Sequence, residues 1–385
     1  MSQITDTTFS EEDRSFMQRA LELARNGRFT TSPNPRVGCV IARPSSNEKF
    51  KSQIIGEGYH LRKGEPHAER VALANCTEAP IGATMYVTLE PCCHYGATPP
   101  CTDAIIDADV DRVVVAIRDP FQEVQGKGIE TLRENGIQVD VGLLEDECWF
   151  ENRFFFHYHT NKKPWVILKA AISLDGKMAS RTGHSKWITG ETARAHAHEV
   201  RAETDAILTG VGTIIADDPL LTSRMPGIED LKIKQSTRIV LDPQLEIKRD
   251  AQVIRTYNQA PIWIFCHDSA PEYAIQELTF FNASVTSVGG EKQALDLHSV
   301  LESLANSGIQ SILVEGGPKI HTAFLESGLA NELLLYIAPK IVGGSEAPSF
   351  FLGEGVELID QAMQLDRVER TLLDQDTLIR GILRR

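Results

Sequence analysis

The sequence predicts an α/β protein built from two unlike domains, and three observations carry that prediction. Through the first half, short apolar runs alternate with segments of helical periodicity. An aromatic stretch then ends in Asn161-Lys162-Lys163-Pro164, and a fresh apolar strand starts at Trp165. A chain of 385 residues is also longer than one ordinary domain requires. Nothing in the second half repeats the first, so the predicted division is residues 1–160 and 161–385.

Composition narrows the class. Hydrophobic content of 42% and charged content of 24% belong to a soluble globular protein. A formal net charge of -14 opposes a general affinity for nucleic-acid phosphates, while leaving room for a small anionic substrate. Cys39, Cys76, Cys92, Cys93, Cys101, Cys148 and Cys266 make an odd count with three crowded together, which fits a reducing cytoplasm better than a disulfide scaffold. The polar, acidic start is unlike a secretory signal, and no apolar run is long enough to span a bilayer. A cytoplasmic protein without a membrane partner is expected.

In order, residues up to about Ser10 read as a loose tail. Ser10 is placed to cap a helix from Glu11 to Asn26, whose Phe16, Met17, Ala20, Leu21, Leu23 and Ala24 fall at helical spacing. Asn34 sits between two prolines that fix its backbone. Strands follow at Cys39–Ala42 and Ile54–Tyr59, the second leading to His60. Pro66 opens a helix from His67 to Asn75. Met85–Leu89 is a strand, Cys101 begins a helix to Asp107, Val113–Ile117 is a strand, Gly128–Asn135 a helix and Ile137–Val141 a strand. Glu145–Thr160 reads as one aromatic helix. This alternation predicts a parallel or mixed sheet covered on both faces, with ligands at strand ends.

Two short pieces, His67-Ala68-Glu69 and Pro91-Cys92 through Cys101, carry the strongest chemistry. His67, Cys92 and Cys101 supply three zinc ligands and leave a fourth tetrahedral position for water, as a catalytic zinc requires; one ion per chain is expected. Glu69 shares the first helical turn with His67. His-x-Glu followed by Pro-Cys and a further Cys is the pattern of zinc deaminases, in which the Glu carries protons and is not a ligand. The two cysteines commonly stand three apart, whereas Cys92 and Cys101 are nine apart. A structural zinc knuckle, with Cys93 as fourth ligand, is the alternative.

The second half carries three signatures: the strand running into Ser173-Leu174-Asp175-Gly176-Lys177, the segment Leu208–Thr222 with Gly210 and Gly212, and Val314-Glu315-Gly316-Gly317-Pro318-Lys319. The last lies between a strand at Ile312–Val314 and a helix to about Ser327, whose N-terminus would attract a pyrophosphate. Either glycine pair alone is no more than a tight turn. A strand at Arg238–Leu241 precedes Asp242-Pro243. Strands at Glu332–Ile341 and Thr377–Leu383 close the chain, and the apolar edge of the first is a candidate dimer surface.

On these residues the chain resembles the bifunctional deaminase–reductase family of riboflavin biosynthesis. The resemblance implies a cytidine-deaminase-like three-layer domain followed by a dihydrofolate-reductase-like α/β domain. It implies zinc-dependent deamination of a phosphoribosylated diaminopyrimidinone, then NADPH-dependent reduction of the ribosyl side chain to ribityl. Asn34 and His60 would hold the pyrimidine. Ala171, Trp187, Thr213, Asp217, Gly317, Pro318, Lys319, Ile320, His321, Thr322 and Ala323 would line the dinucleotide site. Lys169, Ser185, Arg201, Leu221, Arg224 and Glu315 would face the phosphorylated ribose, with Glu315 or Lys169 assisting proton transfer. A homo-oligomer, dimer or tetramer, through the reductase domain is implied. Two positions depart from the family: Ala97 stands where Lys or Arg is common, leaving Arg62, Lys63 or Arg118 to replace it, and Pro243 where Ser often touches the extra phosphate of NADPH. The rival reading is a zinc deaminase of nucleic acid with a non-catalytic C-terminal module; the acidic balance and the glycine segments oppose it.

Overall fold

In the computed structural model, residues 9–45, 52–96, 99–121, 124–225, 233, 235–290 and 294–384 are described. Ala97 and most of the N-terminal tail lie outside them. Two units divide the chain at 161/162.

The sheet of the first unit comprises β1 (Gly38–Arg43), β2 (Gln53–Tyr59), β3 (Thr84–Val87), β4 (Arg112–Val115) and β5 (Gln138–Val141), in the order β2-β1-β3-β4-β5. It is mixed: β1 runs antiparallel to β2 and β3, while β3, β4 and β5 are parallel. Glycines set how closely two helices approach. A Cβ on Gly38 would lie 1.9 Å from the Ala20 carbonyl of α1 (Glu11–Ala24), and one on Gly58 would lie 2.4 Å from the Ala72 nitrogen of α2 (Ala68–Ala74). Gly58 pairs with Cys39, the neighbour of Gly38, and successive strand residues face opposite ways, so α1 and α2 cover opposite faces. That is the expected three-layer arrangement.

Ser10 caps α1 as its sequence position predicts, in a reciprocal box with Asp13. α3 (Cys101–Asp107) and α4 (Lys127–Glu134) also form where expected. The single helix predicted over Glu145–Thr160 is instead two, α5 (Glu145–Glu151) and α6 (Arg153–Asn161). The break falls at buried Asn152, whose amide accepts from the Arg36 N–H at 2.7 Å and donates to the Arg36 carbonyl at 2.8 Å. Helical periodicity cannot register a side chain that replaces a strand partner for another segment's backbone.

The second unit holds β6 (Trp165–Ser173), β7 (Ala206–Gly210), β8 (Thr237–Leu241), β9 (Ile262–His267), β10 (Ser284–Val288), β11 (Ser311–Glu315), β12 (Glu332–Ala338), β13 (Leu365–Leu373) and β14 (Asp376–Leu383). Their order is β10-β9-β8-β7-β11-β6-β12-β14-β13. The first seven in that order are parallel, and β14 and β13 add an antiparallel edge. This corrects the reading of the first closing strand as an apolar edge. β12 is hydrogen-bonded to β6 on one side and β14 on the other, so it offers no edge; Leu334, Tyr336 and Ala338 are buried on one face, and Leu333, Leu335 and Ile337 are half-buried on the other. Helices α7 (Glu191–Glu203), α8 (Val211–Asp217), α9 (Gln252–Arg255), α10 (Glu272–Phe280), α11 (Leu297–Asn306) and α12 (Pro318–Glu326) complete the unit. The Ser-Leu-Asp-Gly-Lys signature is a clamp: Asp175 accepts from the Val342 and Gly343 N–H groups, and the Lys177 ammonium donates to the Ala347 carbonyl and Ser349 hydroxyl.

Candidate active sites

His67 is the N-cap of α2, and Pro66 before it fixes the entry. Its Nδ1 lies 3.5 Å from Cys92 Sγ and 3.4 Å from Cys101 Sγ, and the three donor atoms all lie within 4.8 Å of one another. Zn–S bonds near 2.3 Å and Zn–N bonds near 2.0–2.1 Å at tetrahedral angles put N and S about 3.5 Å apart, so this donor set fits zinc. The nine-residue spacing closes because the Cys92 carbonyl accepts from the N–H groups of Cys101 and Thr102 at the start of α3. Arg70 of α2 holds the loop's far end through the carbonyls of Pro99 and Pro100. Among the described residues the metal-competent cluster consists of these three and omits Cys93. A hydrogen bond from Cys101 holds the Cys92 thiol well below its ordinary value, while the Cys101 thiol is pushed up.

Glu69, in the first turn of α2, is buried, and desolvation raises its carboxyl above the usual range with the His67 charge opposing. Its side chain is in hydrogen-bond contact with Cys101. His60 and His67 meet edge to face at 5.2 Å between ring centres. His60 Nδ1 lies 3.1 Å from the Pro66 carbonyl and Nε2 lies 3.1 Å from Asn34 Nδ2, so Nδ1 carries the proton and Nε2 accepts. Asn34 and His60 are thus one hydrogen-bonded pair at the edge of the zinc triangle.

Glu90 is a residue the sequence reading missed. Its buried carboxylate accepts from the N–H groups of Asp119, Gly126, Gly128 and Ile129, capping α4 and tying the β4–α4 loop to its own loop two residues before Cys92. An acidic residue directly before Pro-Cys was the available signal.

In the second unit, β6, β11 and α7 bring a charged cluster together. Glu315 takes a two-pronged ion pair from Arg201, 2.6 Å to Nε and 2.8 Å to Nη2, and lies 3.6 Å from Lys169 Nζ. The Lys169 ammonium also stands 5.7 Å from the ring centre of Tyr336, whose hydroxyl lies 2.8 Å from His196 Nδ1. Burial opposes ionisation of Glu315, but Arg201 and Lys169 outweigh it and hold the carboxyl far below its ordinary value. Arg224 faces the same cluster, with Nη1 3.2 Å from the Thr222 hydroxyl. Leu221 is buried in a left-handed conformation at φ 50° where the chain turns into this stretch, and Ser185 is half-buried on the loop before α7.

Of the candidate dinucleotide residues, Thr213, Asp217 and Gly317 to Ala323 follow the C-terminal ends of the adjacent parallel strands β7 and β11. Gly317 is the N-cap of α12 with no side chain capping it, Pro318 follows at the first helical position, and a Cβ on Gly317 would meet nothing within 4 Å. Gly316 is different: its Cβ would meet Thr209 Oγ1 and Ile320 at 3.0 Å, so it allows α12 to pack on β7. Uncapped N–H groups facing open space suit the pyrophosphate of a nicotinamide dinucleotide. Thr213 and Asp217 lie on α8, and Ala171 on β6. Lys319 and Ala323 are exposed, and Ile320 is half-buried on the same helix. Thr322 is engaged by the Leu352 N–H. His321 is fully buried against Phe350, so its ring faces the interior and not an open site. Trp187 is 65% exposed under the Arg194 guanidinium, and its carbonyl accepts from Lys340. After β8, the Asp242 carboxylate is used by the N–H groups of Glu246 and Ile247, and Pro243 offers only its carbonyl, which accepts from His267.

Residues 10–117 match the cytidine and deoxycytidylate deaminase zinc-binding region, and residues 164–379 match the RibD C-terminal domain. The riboflavin biosynthesis protein RibD of Actinobacillus pleuropneumoniae is 41% identical over 95% of this chain and 94% of its own length. The chain belongs to the RibD family. The RibD of Escherichia coli is 39% identical over 92% of this chain and 94% of its own. Among solved structures, Acinetobacter baumannii RibD superposes with a TM-score of 0.85 at 36% identity, covering 97% of this chain and 99% of that one. A Thermotoga maritima diaminohydroxyphosphoribosylaminopyrimidine deaminase/5-amino-6-(5-phosphoribosylamino)uracil reductase gives 0.80 at 33% identity, with the same coverage. As in other RibD chains, a zinc-binding deaminase domain precedes a reductase domain, as the sequence predicts. Among the described residues no helix is long and apolar enough to cross a membrane.

Proposed function

We propose that this chain carries out two successive steps of riboflavin biosynthesis on one phosphoribosylated pyrimidine: hydrolytic deamination in the first unit, then reduction of the ribosyl side chain in the second. The observation that carries the reading is the His67–Cys92–Cys101 triangle at zinc-ligand spacing beside a buried Glu69. Bound zinc supplies the Lewis acidity that makes water a nucleophile at neutral pH, and NADPH supplies the hydride for the second step. His67, Cys92 and Cys101 hold the metal. Glu69 accepts a proton from the attacking water and returns it to the departing ammonia, a task that a carboxyl raised by burial suits. Asn34, oriented by His60, donates to or accepts from the pyrimidine edge.

In the second unit, α12 from Gly317 and the residues of α8 bind the dinucleotide. Arg201 and Arg224 receive the phosphate, and Lys169, held between Glu315 and Tyr336, stands at the opened ribose carbon. Lys169, Arg201 and Arg224 against Glu315 leave a surplus of two positive charges, which matches a phosphate dianion. Ser185 and Leu221 complete the substrate wall. Seven free thiols accord with a reducing, cytoplasmic setting. Metal analysis with ammonia release and NADPH oxidation followed on one sample tests the reading. Zinc-free active protein, or no NADPH oxidation with the deaminated substrate, would sink it.

A further inference from the structure

The stretch Thr222–Arg224 is strapped to α7 at three points. Arg201 Nη1 donates to the Thr222 carbonyl at 3.0 Å, the Ser223 hydroxyl donates to the His198 carbonyl at 2.7 Å, and the Arg224 N–H donates to His198 Nδ1 at 3.2 Å. Gln235 holds Ser223 from its other side, accepting from its N–H at 2.8 Å and donating to its carbonyl at 3.0 Å. The last backbone point fixed before the Arg224 side chain is therefore an imidazole nitrogen.

That fixing has work to do. Burial, and then the charge of Arg201, lower Arg224 below its ordinary value, and its Nη1 donates to the Thr222 hydroxyl at 3.2 Å. The strap fixes where that side chain leaves the backbone, beside the like charge of Arg201 and next to the hydroxyl that holds its tip. The strap also requires an unprotonated Nδ1, because an imidazolium has no acceptor to offer the Arg224 N–H. Burial, then the charges of Arg201 and Arg224, hold His198 neutral with a value pushed down to about 4; Glu315 opposes them and Lys169 adds to them.

We propose that His198 is a positioning residue for phosphate recognition: its Nδ1 fixes the Arg224 peptide and so keeps two guanidiniums aimed at one anion. The inference rests on the reading of the second unit as a reductase of a phosphorylated substrate. His198 needs no contact with substrate to act in this way.

The test compares His198→Phe, which cannot accept, with His198→Asn, whose side-chain oxygen can take the place of Nδ1. Full-length proteins are assayed for NADPH oxidation with the deaminated substrate in phosphorylated and dephosphorylated forms. His198→Phe should raise KM for the phosphorylated form about fivefold to tenfold, the effect of one lost hydrogen bond between neutral groups. Its kcat, its KM for the dephosphorylated form and its NADPH affinity should stay put, and His198→Asn should restore the phosphorylated KM. If His198→Phe fails to bind NADPH, Ser223→Ala, which cuts the adjacent strap, carries the same expectation. An unchanged phosphorylated KM, an equal loss on both substrates, or no recovery in His198→Asn would each overturn the role of His198. A wild-type enzyme indifferent to the phosphate would instead overturn the phosphate-site reading beneath it.

Discussion

Arg201 grips Glu315 with two nitrogens, at 2.6 and 2.8 Å, and both side chains are largely buried. A buried pair of this kind is worth little net energy while intact, but removing one partner strands a charge away from water. Glu315→Gln should therefore destabilise the second unit by about 3–5 kcal/mol. Urea melts read by tryptophan fluorescence check this, and NADPH oxidation should fall while ammonia release continues. A variant as stable as the parent would mean that Arg201 finds another anion in the pocket.

Glu69→Gln should keep its zinc and lose ammonia release by about 100- to 10,000-fold, because a buried group that moves protons is replaced by one that cannot. Loss of metal together with activity would make Glu69 a ligand. Cys93→Ser should keep both metal and activity, since the donor cluster is complete without it; a zinc-free Cys93→Ser protein would favour the structural-knuckle arrangement.

The contrast between these residues and Asn152 shows what the sequence could convey. His67, Glu69 and Cys101 sit at helix starts marked by Pro66 and Pro100, so their chemistry and their placement are both local and legible. Asn152 works on Arg36, 116 positions away, and no periodicity signals that. β12 carries a run of Leu, Tyr and Ile that marks a strand, yet neighbours in a sheet are chosen by the whole topology, so its interior place was invisible. The buried face of α7 is built from Ala193, Ala197 and Val200 and gives no strong apolar stripe; His198 was hidden with it.

Asn152→Ala should raise KM for the pyrimidine and lower the melting temperature of the first unit. It removes the two hydrogen bonds that Asn152 makes with the Arg36 backbone, at about 0.5–1.5 kcal/mol for each bond, and it loosens the loop that carries Asn34. Asn152→Asp, which keeps the acceptor but not the donor, should fall between. Equal KM in all three proteins would separate the loop's anchoring from the orientation of Asn34.

Stability of the second unit should decline as pH falls from about 6.5 toward 4, the span between a free histidine and the depressed values. His321 and His198 are the causes: burial pushes each down to about 4, so the folded protein resists protons that the unfolded chain takes up. The unfolded state then binds more protons, and stability is present above the unfolded value and lost on the way down, at no more than about 1.4 kcal/mol per pH unit for each group. Melts of wild type and His321→Leu between pH 7 and 5 read the effect as a difference in slope. Parallel curves would show that His321 takes up a proton in the folded state after all.

Lys169→Ala should let deamination proceed and stop the sequence there, so that the deaminated, unreduced phosphoribosyl compound accumulates. The ammonium is held 3.6 Å from Glu315 and over the Tyr336 ring, both in the second unit, and no group of the zinc triangle shares these partners. Its loss removes one of the three cations that face the anionic substrate and leaves Glu315 to Arg201 alone. Misplacing the reacting carbon by a small distance can cost about 100-fold in rate, and NADPH oxidation should fall by at least that much at unchanged ammonia release. Asp217→Ala offers the comparison. Asp217 is exposed at the end of α8, among the candidate dinucleotide residues, so its removal should raise KM for NADPH and spare kcat. If both variants oxidise NADPH at the parent rate, the hydride is delivered elsewhere than beside Lys169; if Lys169→Ala also loses ammonia release, the two reactions do not run on separate machinery.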